Sequence, residues 1–537
     1  MATGALATDT PTHGDLALVL HAHLPYVHSS EPGSLEEDWY FQAVLECYLP
    51  LLEVLEAAAA DPLQQPRISM GLSPTLLSLL SSRTLSERFL PWLAVRQELL
   101  LQAPAGFEAA AADLAQQLSS AAAAWQRCGG NLLPRFQRLQ QAGVLDLLTC
   151  AATHGYLPLL RDSPEAVRAQ LLTAVREHQR LLGVRPQGIW LPECAYYEGL
   201  DRLLVACGLR YAILDAHGLL HGQPRPRYGV YAPICTPAGM AFFARDSEST
   251  LPVWSARDGY PGDASYREFH RDLGWDLPAG ELEQRGIDCP RPLGLKLHRV
   301  SGRQCGLDQK QPYEPETAQA RVRRDAGHYL QGRAEHLQQL HTAMQRRPLL
   351  VAPFDAELFG HWWYEGPRFL AELFRQAPAQ GVQLTTLRDT LCRGESLQLC
   401  QPSPSSWGQG GYHNYWLNDS NAWVIPQWNR ASRAMVARVS RGVGSERARE
   451  LLNQAGRELL LAQSSDWSFI LRAGTTTELA RERIERHLGR FWQLLEAVDN
   501  PAQISDAWLA AVQAEDNLFP WINAADWAQI PAAAPAS

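Results

Sequence analysis

Short apolar runs alternate with long amphipathic stretches up to about residue 390. Runs rich in Leu, Val and Ile predict strands at 15–21, 67–71, 144–149, 188–191, 211–214, 349–353 and 382–385. Between them, apolar positions recurring at helical spacing predict helices over 41–59, 76–101, 108–127, 164–182 and 315–345. Strands separated by helices build βαβ units and a parallel sheet, so the expected class is α/β. Two stretches are too long for simple crossovers. Residues 73–142 read as a helical insertion, and 216–300 as an irregular excursion rich in Pro, Gly and Tyr. After residue 393 the pattern changes. A Pro-, Ser- and Gly-bearing stretch at 401–411 leads into helical periodicity at 432–440, 446–463 and 475–497, with no strand pattern. This divides the chain into an α/β unit over 1–395 and an all-helical C-terminal unit over 396–537, whose last residues, 531–537, are expected to fray.

The length of 537 residues exceeds one ordinary domain, and a 46% hydrophobic content suffices for a large core. A net charge of −9 opposes a role in gripping nucleic acid phosphates. No apolar run is long enough to span a membrane, and the first 14 residues lack the features of a secretion signal. Ten scattered cysteines contain no C-x-x-C pair, which disfavours zinc ribbons and fits a reducing compartment, so a cytoplasmic protein is expected. Lys296 and Lys310 are the only lysines, so Schiff-base chemistry has two candidates, and no P-loop exists. The 17 tryptophans, nine of them at or after Trp407, are either core filler or flat platforms for rings.

Reactive side chains fall where the strands end. The first strand runs into His21-Ala22-His23, and in extended chain both imidazoles point to one side. His154 follows the third strand, Glu193 the fourth, and Asp355 the strand at 349–353. In an α/β barrel that edge is where active sites are built. Two carboxylates from different parts of the rim suit glycoside chemistry: one attacks or supports the sugar C1, and the other gives a proton to the leaving oxygen. Trp190 and Trp362 supply apolar surroundings that would set the two carboxyl groups apart. His21 and His23 as metal ligands, Glu193 as a buried ion-pair partner, and Asp466 as a helix N-cap are the alternatives. Glu357, two residues after Asp355, is placed behind it.

Five stretches then carry a resemblance to glycoside hydrolase family 57, and within it to the 1,4-α-glucan branching enzymes. They are His21-Ala22-His23-Leu24-Pro25-Tyr26, Ala151-Ala152-Thr153-His154, Trp190-Leu191-Pro192-Glu193, the run from Phe354 to Trp363, and Ser464-Ser465-Asp466-Trp467. The resemblance implies an incomplete (β/α)7 barrel with helical insertions and a helical C-terminal domain that adds a wall to the cleft. It implies retention of anomeric configuration with no metal and no organic cofactor. Glu193 resembles the nucleophile and Asp355 the general acid/base. His21, His23, Trp39, His154, Arg245, Trp254, Gly262, Trp407, Trp416 and Asp466 resemble substrate-binding positions. The partner implied is an α-1,4-glucan, as donor and acceptor, with no nucleic acid and no membrane, bound by a monomer. One departure stands out. Branching members carry a mobile loop tipped by a tyrosine between the nucleophile and the Arg-Asp motif. Here the segment from Glu193 to Arg245 is short, and only Tyr228 and Tyr231 are there to stand in. Without a lid, water competes better for the glycosyl-enzyme and hydrolysis gains on transfer. An α-amylase of the same family is therefore the second expectation, and a non-catalytic glucan-binding protein the third.

Overall fold

Eight consecutive buried positions, Asp15–Ala22, put the first strand at the centre of its sheet. A strand covered on both faces reads as a continuous apolar run and not as an alternation. The computed structural model describes residues 12–28 and 32–530. Its strands are β1 (Asp15–Ala22), β2 (Ile68–Leu72), β3 (Leu145–Leu148), β4 (Gly188–Ile189), β5 (Tyr211–Leu214), β6 (Ile234–Cys235), β7 (Ala241–Ala244), β8 (Leu349–Asp355), β9 (Gln383–Leu384) and β10 (Gln398–Leu399).

Seven of them form the barrel. Order β8-β1-β2-β3 makes one parallel arc, and β4-β5-β7 makes the other. The arcs touch at two places. Trp190 N donates to Thr149 O at 2.8 Å, and Asp246 N donates to Val351 O at 2.8 Å. No continuous ladder closes the ring among the described residues, so the architecture is the expected incomplete (β/α)7 barrel.

The barrel strand missing from the sequence pattern is β7. It lies inside the stretch 216–300 that the sequence presents as irregular. Its four residues, Ala241-Phe242-Phe243-Ala244, are all buried, but the run is too short to stand out from its Pro- and Gly-bearing flanks. The run at 382–385 is a strand, β9, but only two residues long and paired to the start of β1 outside the seven. The absence of strands after 393 is also corrected, because β10 pairs with β6.

The insertion 73–142 is helical, as the pattern predicts: Pro74–Leu80, Arg83–Leu100, Glu108–Arg127 and Leu133–Gln141. The single helix expected over 76–101 is two. Ser82 caps the second by accepting from Leu85 N, a local bond that competes with helix continuation. The first crossover is also interrupted. Between Leu35–Ala43 and Leu49–Ala60 lies a π-helical turn, Val44–Tyr48, a feature that re-aims side chains.

The C-terminal half is helical: Val424–Ser440, Glu446–Ala462, Ser465–Ala473, Thr477–Ala497 and Asp506–Glu515. Ser465–Ala473 and Asp506–Glu515 have no counterpart in the sequence pattern. The expected frayed tail at 531–537 lies outside the described residues. This half grips the barrel by polar bonds. Trp521 Nε1 donates to Glu177 Oε2 at 2.8 Å, and Tyr26 Oη donates to Asn517 Oδ1 at 2.5 Å. No helix among the described residues is long and apolar enough to cross a membrane.

Candidate active site

A cavity of about 330 Å³ opens at the C-terminal ends of the barrel strands. His21 and His23 reach it from the end of β1, His154 from beyond β3, Glu193 from beyond β4 and Asp355 from the end of β8. Register explains the meeting: His21 lies opposite Asp355 in the β1–β8 ladder. Trp39, Trp407 and Asp466, also expected, lie on the cavity wall.

Glu193 sits in a 3₁₀ turn, Pro192–Cys194, with φ 60° at Glu193 and 49° at Cys194. Two successive residues with side chains in the left-handed region cost free energy, which surrounding structure must over-determine. That structure is visible. Cys194 N donates to Leu191 O at 2.8 Å, Trp407 N donates to Glu193 O at 3.0 Å, and Trp407 Nε1 donates to Glu193 Oε2 at 2.7 Å. His154, at φ 55°, is a third such position.

The electrostatics separate the two carboxyl groups. Burial pushes Glu193 up to about 8, against the pull of the Trp407 hydrogen bond, and the neighbouring Asp355 adds to the rise. Burial and then the Glu357 carboxylate hold Asp355 well above the usual carboxylate range, with no opposing donor. The indole donor favours the ionised form of Glu193, and no hydrogen bond reaches the Asp355 carboxyl among the described residues, so the surroundings favour the charge on Glu193 and the proton on Asp355. Glu357 lines the same cavity and acts on Asp355. Burial lifts it to about 7, while Tyr48 Oη donates to it at 2.6 Å and His23 N at 3.2 Å.

The histidines form a stacked group. The His23 and His154 rings lie 4.0 Å apart, and His21 stacks on buried Trp190 at 4.7 Å. Burial lowers the pKa of His21 and His154 well below the usual value, so both rings stay neutral. Their Nε2 atoms are 3.1 Å apart, so one ring donates to the other. Ser465 Oγ bonds His154 Nδ1 at 2.8 Å, and Ser73 Oγ bonds His23 Nδ1 at 2.8 Å. His23 Nε2 meets Asp466 Oδ2 at 3.1 Å. Although burial opposes its charge, Asp466 is held at about 2 by His23, with help from His154 and Ser464. It belongs to the first turn of Ser465–Ala473, whose cap residue is Ser464, so the N-cap alternative falls. His21, His154 and Cys150 place ligand-type atoms within 4.8 Å of one another. Yet the Cys150 thiol is pushed well up by burial and His154 Nδ1 is taken by Ser465, which suits packing better than a cation.

Several expected binding residues stand elsewhere. Trp416 is 2% exposed and stacks on Tyr156 at 4.6 Å, so its ring offers no face to a sugar. It is core in a segment whose composition suggests an open loop. Trp254 meets Trp407 edge-on at 5.9 Å and backs that ring. Arg245 follows β7 and is engaged by Asp215 at 3.4 Å and Thr250 Oγ1 at 3.0 Å. Gly262 does allow a close approach, but to backbone of its own chain: a Cβ there would lie 2.2 Å from Ala256 O. Tyr228 and Tyr231 are at the wrong end of the barrel. Leu349, the first residue of β8, donates its N–H to Tyr231 O at 3.0 Å, and Arg346 lies over the Tyr228 ring. Asp355 ends that same strand, on the order of 20 Å away at 3.3 Å per residue.

Trp362, expected to supply apolar surroundings, is on the wall, and Phe469 joins it without having been singled out. Phe469 and the side chain of Trp362, 44% and 43% exposed, rim the cavity. Ser73, Ser465, Glu46 and Tyr48 act one layer out. Of these, Ser465 carried a signal, since it precedes Asp466 in a quoted motif; Tyr48 is set by the π-helical turn and reads in sequence as core.

The model of glycosyl hydrolase family 57 matches residues 17–275, and that of the branching enzyme C-terminal region matches residues 427–527. A 1,4-alpha-glucan branching enzyme of Thermococcus kodakarensis is 31% identical over 94% of this chain and 77% of its own. The crystal structure of the alpha-amylase AmyC from Thermotoga maritima matches with TM-score 0.89 and 34% identity, over 97% of this chain and 100% of that one. A GH57-type branching enzyme from Pyrococcus horikoshii matches with TM-score 0.87 and 30% identity, over 97% and 98%.

Proposed function

The chain belongs to glycoside hydrolase family 57, and from that membership we propose that it is a 1,4-α-glucan branching enzyme. The observation that carries the chemistry is the pair Glu193 and Asp355 in one cavity, with a hydrogen-bond donor on the first alone. Asp355 gives its proton to the glycosidic oxygen while a Glu193 oxygen attacks C1. The C1–O bond breaks, the reducing-end fragment leaves with a new 4-hydroxyl, and an ester joins Glu193 to the donor chain. The Asp355 carboxylate then takes the proton of a glucan 6-hydroxyl. That oxygen attacks C1, expels the Glu193 carboxylate and makes an α-1,6 bond with net retention.

The surroundings fit this course. Neutral His21 and His154 line the cavity without adding charge, and ionised Asp466 orients His23. Trp39 and Trp407 supply apolar faces for the ring. The reading extends to a barrel unit over 1–395, a helical unit over 396–537 that walls the cleft, and action by a single chain on amylose-like donor and acceptor chains. Ten free cysteines support a cytoplasmic setting.

A second reading is a family 57 α-amylase. It is favoured by the position of Tyr228 and Tyr231 far from the cavity, where neither can shield the glycosyl-enzyme from water. Proton NMR of amylose after incubation separates the two. New α-1,6 anomeric signals with little rise in reducing ends support branching; reducing ends without branches support hydrolysis.

A further inference from the structure

Outside the catalytic cavity lies a groove of about 580 Å³ between the helix Leu49–Ala60, the inserted helix Glu108–Arg127 and the helix Gly366–Gln376. Its size is that of a small-molecule site and exceeds the catalytic cavity. Leu49 and Ala121 are buried at its base, while Gln116, Gln117 and Ser120 line the same inserted helix one turn of side chains outward. Most of the charges on its walls are engaged. Asp113 is bonded by Arg368, Arg267 and Tyr364, Glu372 by Arg375 and Glu46 by His361, while Glu53 lies 3.7 Å from Arg127 and Asp61 accepts from Leu63 N and the Gln64 amide. Between these groups lie an apolar base and the amide and hydroxyl side chains of Gln116, Gln117 and Ser120. Such a surface suits a neutral, hydroxyl-rich ligand and not an ion.

The groove is joined to the catalytic cavity by shared walls. Trp362 and His361 border both the cavity and a small crevice of about 10 Å³, and Tyr364, Glu46 and Gln117 border both that crevice and the groove. The crevice is too small for a sugar, so the connection is a rim and not a tunnel. The rim itself is fixed. His361 Nδ1 meets Glu46 Oε2 at 2.5 Å, and at Gly360, with φ 117°, a Cβ would collide with Glu46 O. Trp362, left exposed at the junction, is a flat platform on the way from one space to the other. Gln117 faces both the crevice and the groove, and its amide makes no hydrogen bond among the described residues.

We infer that this groove is a second α-1,4-glucan site, which holds the polymer away from the point of cleavage while Trp362 guides the chain between groove and cavity. The inserted helices are then a binding wall and not only a cover. The inference rests on the glucan reading of the cavity. It identifies an occupant by continuity: a chain held at Glu193 that runs past Trp362 reaches the groove next.

The test is equilibrium binding to full-length protein made inactive by Asp355→Asn, with amylose and maltotetraose as probes. Two sites on one chain make the second contact intramolecular, so amylose gains avidity that maltotetraose cannot. Adding Ser120→Trp, which plugs the groove, or Gln117→Ala, which removes the free amide, should weaken amylose binding on the order of tenfold while maltotetraose affinity stays the same. Unchanged amylose affinity in both variants overturns the groove site. An equal loss for both probes also overturns it, because the change then acts through the cavity. If the Asp355→Asn protein binds neither glucan, it is the reading of the cavity that fails, not the groove alone.

Discussion

Trp407 and Glu193 are joined twice, by backbone at 3.0 Å and by indole Nε1 to Oε2 at 2.7 Å. The segment that leads into the helical half thus fixes both the strained turn and the charge of the candidate nucleophile. Barrel and helical unit meet at the reacting atom, and the bond has a direction that pH measurements can read.

As the proposed nucleophile Glu193 works ionised, and its position, raised by burial to about 8, already includes the help of the indole. Trp407→Phe keeps a ring against Trp190 and Trp254 but removes the donor. A hydrogen bond to a charged group contributes roughly 1.5–3 kcal/mol, so the pKa should rise by about one to two units. The sign is fixed: the acid limb of kcat/KM, which reports the free enzyme, moves to higher pH. An unmoved limb in Trp407→Phe would show that the indole does not support the charge.

The two carboxyl groups should fail differently. Asp355→Ala removes the proton for the leaving oxygen and should cost roughly 10²–10⁴-fold on amylose. A maltosyl fluoride leaves without protonation, so it should still load Glu193 at a rate close to that of the unaltered protein. Glu193→Ala should be inactive on both. Burst kinetics with the fluoride measure this, and equal losses for the two variants would contradict the assignment.

The strand-end chemistry was legible in the sequence because it depends on short-range order. His21 and His23 are two apart, and Glu193 and Asp355 each follow an apolar run, so position alone carried them to one edge. The missed pieces depend on contacts across the chain. β7 is four buried residues that become a strand only through pairing with β5 and β6. Trp416 is core because Tyr156, 260 positions earlier, lies under it. Tyr48 reaches Glu357 because a π-helical turn rotates it there, and apolar periodicity does not record such a turn. Tyr228 and Tyr231 fall between two motifs of one edge, yet their loop returns beneath the barrel.

That loop gives a prediction about transfer. Tyr228→Ala and Tyr231→Ala lie beside Arg346 and His336 at the N-terminal end of β8, remote from C1 of any bound sugar. The ratio of α-1,6 bonds formed to reducing ends released should be the same in both variants as in the unaltered protein. NMR and a reducing-sugar assay on one reaction mixture give that ratio. A fall in either variant would place a lid where the structure shows none.

The tryptophans can be sorted by whether they act on stability or on substrate. Trp416 is 2% exposed and crowded, with Gly408 against its ring, where a Cβ would lie 2.4 Å away. Trp416→Ala opens a large cavity, and such truncations cost about 3–5 kcal/mol. Denaturant melts should show that loss directly, whereas Trp416→Phe, which keeps a ring on Tyr156, should recover most of it and leave KM for amylose unchanged. Trp362 and Phe469 are the opposite case. Each is nearly half exposed at the rim of the cavity, so alanine there removes little burial and should leave the melt in place. What it removes is a stacking face worth about 0.5–1.5 kcal/mol, so KM for amylose should rise roughly 2- to 10-fold. The two readouts must not cross. A KM effect at Trp416→Phe with normal stability would return that ring to the cleft, and a stability loss without a KM change at Trp362→Ala would make the exposed indole structural.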